Sequence, residues 1–390
     1  MSSPIYRAPF QQQIIPSFEQ KQEENKIPRT RCGYLVPEAY STYEGSLGET
    51  GPVAKGKAIH FAADLICSGG LDIWIRGIYS YCIQHIGIAS PRIFVYLRDK
   101  IQILDKKVET LPQEAFYSHP DVQASIGEAV LIVQLCPKRN KIVWPKVDQS
   151  THRTGWIRGV AGAPEKGVTR KVWSSNGDSP TLYLVANEFC KAIEDGSSEK
   201  ALFWLKWVLE EDALIKKETK SSGLTTIERA PADIQGKART DVGHYMAQIL
   251  VELYKELASK GLIRMNEEFQ ELWRLWRGGE KRMASRLKKE CLGWITLVCC
   301  EVPRWKVPAA PSLVEDPIQL SRAVGQVGTF FKEVLSYKPL ASGKELKPNM
   351  MKMAREKKKN PLTEAEKQKA SLGEHLDAYD AIMESYLKDF

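Results

Sequence analysis

Between Trp273 and Glu290, the stretch WRLWRGGEKRMASRLKKE sets Arg274, Arg277, Lys281, Arg282, Arg286, Lys288 and Lys289 against only two glutamates. Phosphate is a natural partner for such a density of cations. Arg274, Arg277, Lys281 and Lys288 recur at helical spacing and would share one face if the Gly278-Gly279 break permits, with Leu272, Met283, Leu287 and Trp294 turned to the core. An ordinary solvated basic face is the competing reading. A second stretch, THRTGWIRGVAGAPEKGVTRKVW over 151–173, interleaves Arg153, Arg158, Lys166, Arg170 and Lys171 with Trp156 and Trp173. Such mixtures suit single strands, because rings stack on bases while cations hold the backbone. The tail segment Lys352–Lys359 (KMAREKKK) could be a nuclear address or a phosphate tether, and is expected to be disordered. The nucleic-acid-binding candidates are therefore Arg153, Trp156, Arg158, Arg170, Lys171, Arg274, Arg277, Lys281, Arg282, Lys288 and Lys289, with DNA favoured as the ligand.

Other chemistry is poorly supported. Gly51 to Ala58 fits the phosphate-loop pattern G-x-x-x-x-G-K-[ST] except at its last position, where Ala58 has no hydroxyl for magnesium. Tyr40 to Thr50 is polar and glycine-rich where a buried strand should precede the loop, so Gly51–Ala58 reads as a helix entry. The six histidines (60, 85, 119, 152, 244 and 375) show no metal-ligand spacing, and none sits in an H-E-x-x-H motif. No C-x-x-C pair occurs among Cys32, Cys67, Cys82, Cys136, Cys190, Cys291, Cys299 and Cys300, and several lie among apolar neighbours, so buried free thiols are expected. Glu210, Glu211 and Asp212 read as a solvated helix face. The expectation is a chain with no catalytic residues, no metal and no cofactor.

The elements that must position the cations come next. With 390 residues, 43% of them hydrophobic and 27% charged, the chain can form two or three domains. A net charge of +8 points towards acidic partners. No apolar run approaches the roughly 20 residues of a membrane helix, and the start lacks the order of a secretory signal, so an intracellular protein is expected.

Residues 1–54, rich in Gln, Pro, Ser and Gly, read as an extended N-terminal arm. Residues 55–145 form a first helical unit, with helices near Lys57–Cys67, Leu71–Ile86, Ile93–Leu104 and Val122–Leu135. Residues 146–180 read as a basic Gly/Pro-rich loop. Residues 181–338 form a second helical unit, with helices after Ser197-Ser198, over Asp241–Lys260, Glu267–Arg277 and Lys281–Cys300, and near Leu320–Leu335. Trp204 and Trp207 flank Leu205 on the first of these, which predicts a helix covered on more than one side. Residues 339–390 are a basic linker and a last helix, Glu364–Leu387. Only 181–186 alternates like a strand, so the fold class is all-α.

Two stretches resemble the C-terminal helical collar of the replication-associated recombination ATPases, the Werner helicase-interacting protein family of clamp-loader relatives. They are KAIHFAADLICSGG (57–70) followed by Gln84-His85-Ile86-Gly87-Ile88-Ala89-Ser90-Pro91, and then IGEAVLIVQLCPKRN (126–140), about 85 residues in all. The helix ALFWLKWVLEEDALIKK (201–217) is similar to another collar helix. The family's Ser-Glu-Asp is missing before Ile86, and only 56 residues precede the match, too few for the ATPase module, so ATP hydrolysis does not carry over. The stand-alone arrangement also looks like uncharacterised proteins of large DNA viruses. The resemblance implies a clamp-loader-collar-like bundle that oligomerises or docks on a protein partner. With the basic segments, it points to a non-enzymatic accessory protein of DNA replication, recombination or repair, in the nucleus or a viral replication compartment. A structural or scaffolding protein, such as a virion component, is the alternative.

Overall fold

The computed structural model describes residues 29–337, except 154, 221–222, 231–239, 263–265, 285 and 302–312. The predicted helix Glu364–Leu387 and the basic segment Lys352–Lys359 lie outside the described residues. Within them the protein is all-α, and the one β contact is an isolated bridge between Arg29 and Leu35.

Six helices come first: α1 (Val36–Ser46), α2 (Pro52–Cys67), α3 (Leu71–His85), α4 (Arg92–Thr110), α5 (Gln113–Ser118) and α6 (Pro120–Leu135). Residues 137–148 then run without secondary structure. Two short helices, α7 (Trp156–Val160) and α8 (Gly167–Val172), lead into α9 (Pro180–Glu194), α10 (Ser198–Thr219), α11 (Val242–Ser259), α12 (Asn266–Trp276) and α13 (Leu287–Glu301). The last two are α14 (Pro317–Gly325) and α15 (Val327–Ser336).

Local chemistry sets the boundaries. Proline stands in the first turn of α1, α2, α6, α9 and α14, where its missing N–H costs nothing. The side chains of Ser179, Asp241 and Asp316 accept the first backbone N–H groups of α9, α11 and α14. Helix α2 stops where Gly69 takes φ +82° and Gly70 N–H reaches back to the Leu65 carbonyl, a turn that a side chain would strain.

Two helices join the halves, α12 by packing on α4 and α13 by packing on α3. Every residue of α13 from Cys291 to Cys300 is buried, and the helix packs on α9 to α12 on one side and on α3 on the other. Helix α10 is also enclosed: Leu205 is fully buried, and Trp204 and Trp207 are 8% and 2% exposed, so both indoles are covered as the spacing predicts.

Several sequence expectations need correction. Residues 36–47 are no extended arm: Val36, Ala39, Tyr40, Tyr43 and Leu47 are buried at helical spacing, a stripe disguised because two of its members are tyrosines. Residues 181–186 are no strand, since they open α9, whose buried face runs Leu182, Val185, Ala186, Phe189, Cys190 and Ile193. The loop 146–180 contains α7 and α8. Residues 317–336 form two helices that pack back on α2 and α6, with the first helical unit, and not with the second. Gly127 on α6 permits this, because a Cβ there would stand 2.2 Å from Val327 Cγ2.

Candidate nucleic-acid interface

The segment 273–289 does not form one basic face. Helix α12 ends at Trp276, Gly278 has φ +87°, and α13 begins only at Leu287, so Arg274, Arg277, Lys281 and Lys288 sit on different local frames. Arg274 turns inward: it donates to Glu271, whose side chain is fully buried, at 2.6 and 2.9 Å, and also to the Gly279 carbonyl. Arg98 reaches the same carboxylate at 3.3 Å. Arg282 is held by Asp105 at 2.7 Å and by the largely buried Glu280 at 2.7 Å. These two arginines are structural cations, which spacing alone does not reveal. Leu272, Met283, Leu287 and Trp294 are buried, as expected.

Arg277 and Lys281 remain exposed, with Lys281 on the rim of a cleft of about 420 Å³ beside Arg98, Arg274 and Arg282. Lys289 lies 4.6 Å from the centre of the Trp144 ring. Burial holds this ammonium below its ordinary pKa. Lys288 is half-buried on the first turn of α13, close to Gly278.

The 151–173 stretch divides in the same way. Trp156 is not available to stack on a base: its ring lies 6.0 Å from Trp204 and 5.7 Å from Trp207, and forms a lid on α10. His152 completes this cluster, stacked on Trp207 and bonded to Glu211 at 2.6 Å. Arg170 pairs with Glu165 and Lys171 with Glu252. Arg153 and Arg158 are exposed. Arg158, Arg170 and Trp173 do meet, around a cleft of about 660 Å³ where the Trp173 ring lies 5.0 Å from Tyr183.

A third cleft, of about 810 Å³, was not expected as a site. Lys138, Arg139, Asn140 and Lys141 enter it from the extended segment after α6, Gln84 and His85 from the end of α3, and Arg286 from the turn before α13. The Arg139 backbone N–H donates to the His85 carbonyl at 2.8 Å, which fixes the segment against α3. Arg139 itself is spent on a bidentate pair with Glu301 at 2.6 Å. Trp144 anchors the other end of the segment through Glu290, at 3.0 Å, over Gly293, where a Cβ would meet Ile142 at 2.8 Å and Trp144 at 2.9 Å. Glu44 is the one carboxylate among the lining residues.

Cations outnumber the carboxylate among the residues that line this cleft. Burial first, then the Lys141 and Lys138 ammonium groups, hold His85 below its ordinary pKa. Burial does the same to Lys138, whose Nζ donates to the Gln134 carbonyl at the end of α6. Lys141, Arg286 and Lys289 all act on Glu290, against the burial that raises its carboxyl, so these cations form one neighbourhood. The run Pro137-Lys138-Arg139-Asn140-Lys141 was visible in the sequence, but its convergence with His85 and Arg286 depends on the tertiary fold.

Elsewhere the reactive groups are muted. Glycine-rich Gly51–Ala58 is the start of α2, with Ala58 buried and Lys57 bonded to Glu49 at 3.1 Å, so the stretch is helical and does not form a glycine-rich loop. All eight cysteines are free, and burial pushes the thiols of Cys67, Cys136, Cys190 and Cys300 up to about 12, which keeps them protonated and weakly nucleophilic. Among the described residues no group of three His, Cys, Asp or Glu side chains is arranged to hold a metal ion, and no helix is long and apolar enough to cross a membrane. Comparison with protein-family models, with curated proteins and with solved structures finds no match to this chain.

Proposed function

We propose that this chain is a non-enzymatic accessory protein of DNA replication, recombination or repair that grips a phosphodiester backbone along the Lys138, Lys141 and Arg286 cleft. The observation that carries this reading is the convergence of those three cations and His85 on one concave surface with a single lining carboxylate. Lys289 extends the cationic surface, while Arg153, Arg158, Arg277 and Lys281 supply further exposed charge. The collar-like stretches 84–91 and 137–140 meet at this cleft, which supports a docking role beside the nucleic acid.

Fluorescence anisotropy with labelled oligonucleotides between 50 and 200 mM salt tests it, those concentrations bracketing the range where phosphate contacts dominate. Each phosphate neutralised on a single strand contributes about −0.7 to the slope of log K against log salt, so replacing Lys138, Lys141 and Arg286 by Gln together should flatten the slope by about two. An unchanged slope in a variant that melts like the parent refutes the proposal.

A second reading, a structural protein that packs on other copies or on a protein partner, is favoured by the apolar start of two adjacent helices. Val53 on α2 and Ile318 on α14 are 67% and 66% exposed, and Lys55 and Gln319 beside them are hydrogen-bonded at 3.1 Å. A chain that binds no nucleic acid at low salt, and whose mass in solution falls on Val53→Ser/Ile318→Ser substitution, would establish that reading instead.

A further inference from the structure

We propose that the cleft between α1, α3 and the segment 138–141 receives one unstacked nucleotide, which makes single-stranded nucleic acid, and not duplex, the ligand of this site. The inference rests on the nucleic-acid reading and adds a binding mode to it. Its first ground is shape. A concave space of about 810 Å³ is the size of a small-ligand pocket, large enough for one nucleotide but closed to a duplex, whose bases stay inside the stack.

The second ground is the chemistry of the wall. The imidazole of His85, half-buried, rests on the buried ring of Tyr81, 4.7 Å away at 32°, and its outer face borders the cleft, a backed ring of the kind on which a base stacks regardless of sequence. Lys138 and Lys141 stand beside it for the phosphate. Ser41, Gln84 and Asn140 bring hydroxyl and amide groups that can meet the edge of a base. Ring, cation and amide are the three components that single-strand recognition needs, and here they come from α3 and the segment 138–141, with the Ser41 hydroxyl added from α1.

The third ground is a bare position on the wall that α1 contributes. Gly45 lines the cleft from α1, and a Cβ there would meet nothing within 4 Å, so the space in front of it is open to a ligand. Gly48 differs, since a Cβ at that position would come within 3.3 Å of the Tyr81 hydroxyl. Substitution at Gly45 can therefore fill the cleft without removing a charge, and a side chain there favours the helix over glycine.

The test compares a 12-nucleotide single strand with the duplex of the same sequence, for the parent, Gly45→Trp and His85→Ala, each checked by its melting temperature. The parent should prefer the single strand. Gly45→Trp should lose single-strand affinity by about tenfold, and His85→Ala by a comparable factor, as removal of one stacking partner does. Gly45→Trp should keep the parent's salt slope, because Lys138, Lys141, Arg286 and His85 are intact. Equal parent affinity for the two ligands, or an unchanged single-strand affinity in folded Gly45→Trp, overturns the inference and leaves the backbone-binding reading standing. If Gly45→Trp does not fold, His85→Ala alone decides the matter by the same criterion. A parent that binds neither ligand at low salt overturns both.

Discussion

Substitution of Arg274 by Ala separates structural cations from binding cations most sharply. Glu271 is fully buried on α12 and receives Arg274 at 2.6 and 2.9 Å and Arg98 at 3.3 Å. Loss of one member of a buried pair costs about 3–5 kcal/mol, because a charge is left unpaired in a poor solvent. Arg98 still reaches the carboxylate and Arg274 is one third exposed, so the cost should fall at or below the bottom of that range, roughly 2–3 kcal/mol. Arg274 also closes the turn onto the Gly279 carbonyl, which adds to the loss. The double variant Arg274→Ala/Glu271→Gln removes the stranded charge and should recover at least about 1 kcal/mol of the single-variant deficit. Urea unfolding followed by helical circular dichroism reads these differences. Arg277→Ala and Lys281→Ala, at exposed positions, should stay within about 0.5 kcal/mol of the parent. If Arg274→Ala also unfolds within that margin, the buried network is misassigned, and Arg274 returns to the set of cations available for phosphate.

Two further outcomes follow from other parts of the molecule. Gly127→Ala should destabilise by about 1–3 kcal/mol through overpacking against Val327, and Val327→Ala should relieve part of that loss; no relief in thermal melts would place α15 elsewhere. His85 and His244 are both held below their ordinary pKa, first by burial and then by Lys141 and Lys138 around His85, and by Arg277 and Lys288, against Asp241, around His244. The unfolded chain therefore binds more protons than the folded one just below pH about 6.5, and stability should fall as pH drops through that value. Asp64 and Glu290, raised by burial, act in the opposite sense in any variant that retains them. The parent should lose more stability than His85→Gln/His244→Gln between pH 7.5 and 5.5, and an equal loss in the two would show that both histidines titrate normally when folded.

The all-α class and the long helices were legible because their apolar stripes repeat at helical spacing and glycine marks their ends, as Gly69 and Gly261 do after α2 and α11. Helix α1 escaped because Tyr40 and Tyr43 do the work of aliphatic residues, and α9 because residues 181–186 also alternate. The packing of α14 and α15 on α2 and α6 could not be read at all, since it depends on a distant glycine at 127 making room for Val327.

The candidate site shows a deeper limit. Composition counts every cation equally, whereas burial sorts them by whether a carboxylate is close enough to claim them. Arg274, Arg282, Arg170 and Lys171 each have such a partner, three of them against carboxylates that are largely or wholly buried. A cation in that position cannot exchange its partner for phosphate without exposing or stranding the acid, so Arg274 and Arg282 of the densest basic run are committed to the fold. Lys138 instead donates to a backbone carbonyl at the end of α6, a neutral acceptor that leaves its charge uncompensated. Burial and the neighbouring ammonium groups keep His85 neutral near physiological pH, and an anion beside it would oppose that effect. Binding of a phosphate in this cleft is therefore expected to draw a proton onto His85, so affinity should rise as pH falls from 7.5 to 6. The rise must vanish in His85→Gln; a rise that persists there assigns the proton to another group and removes His85 from the site.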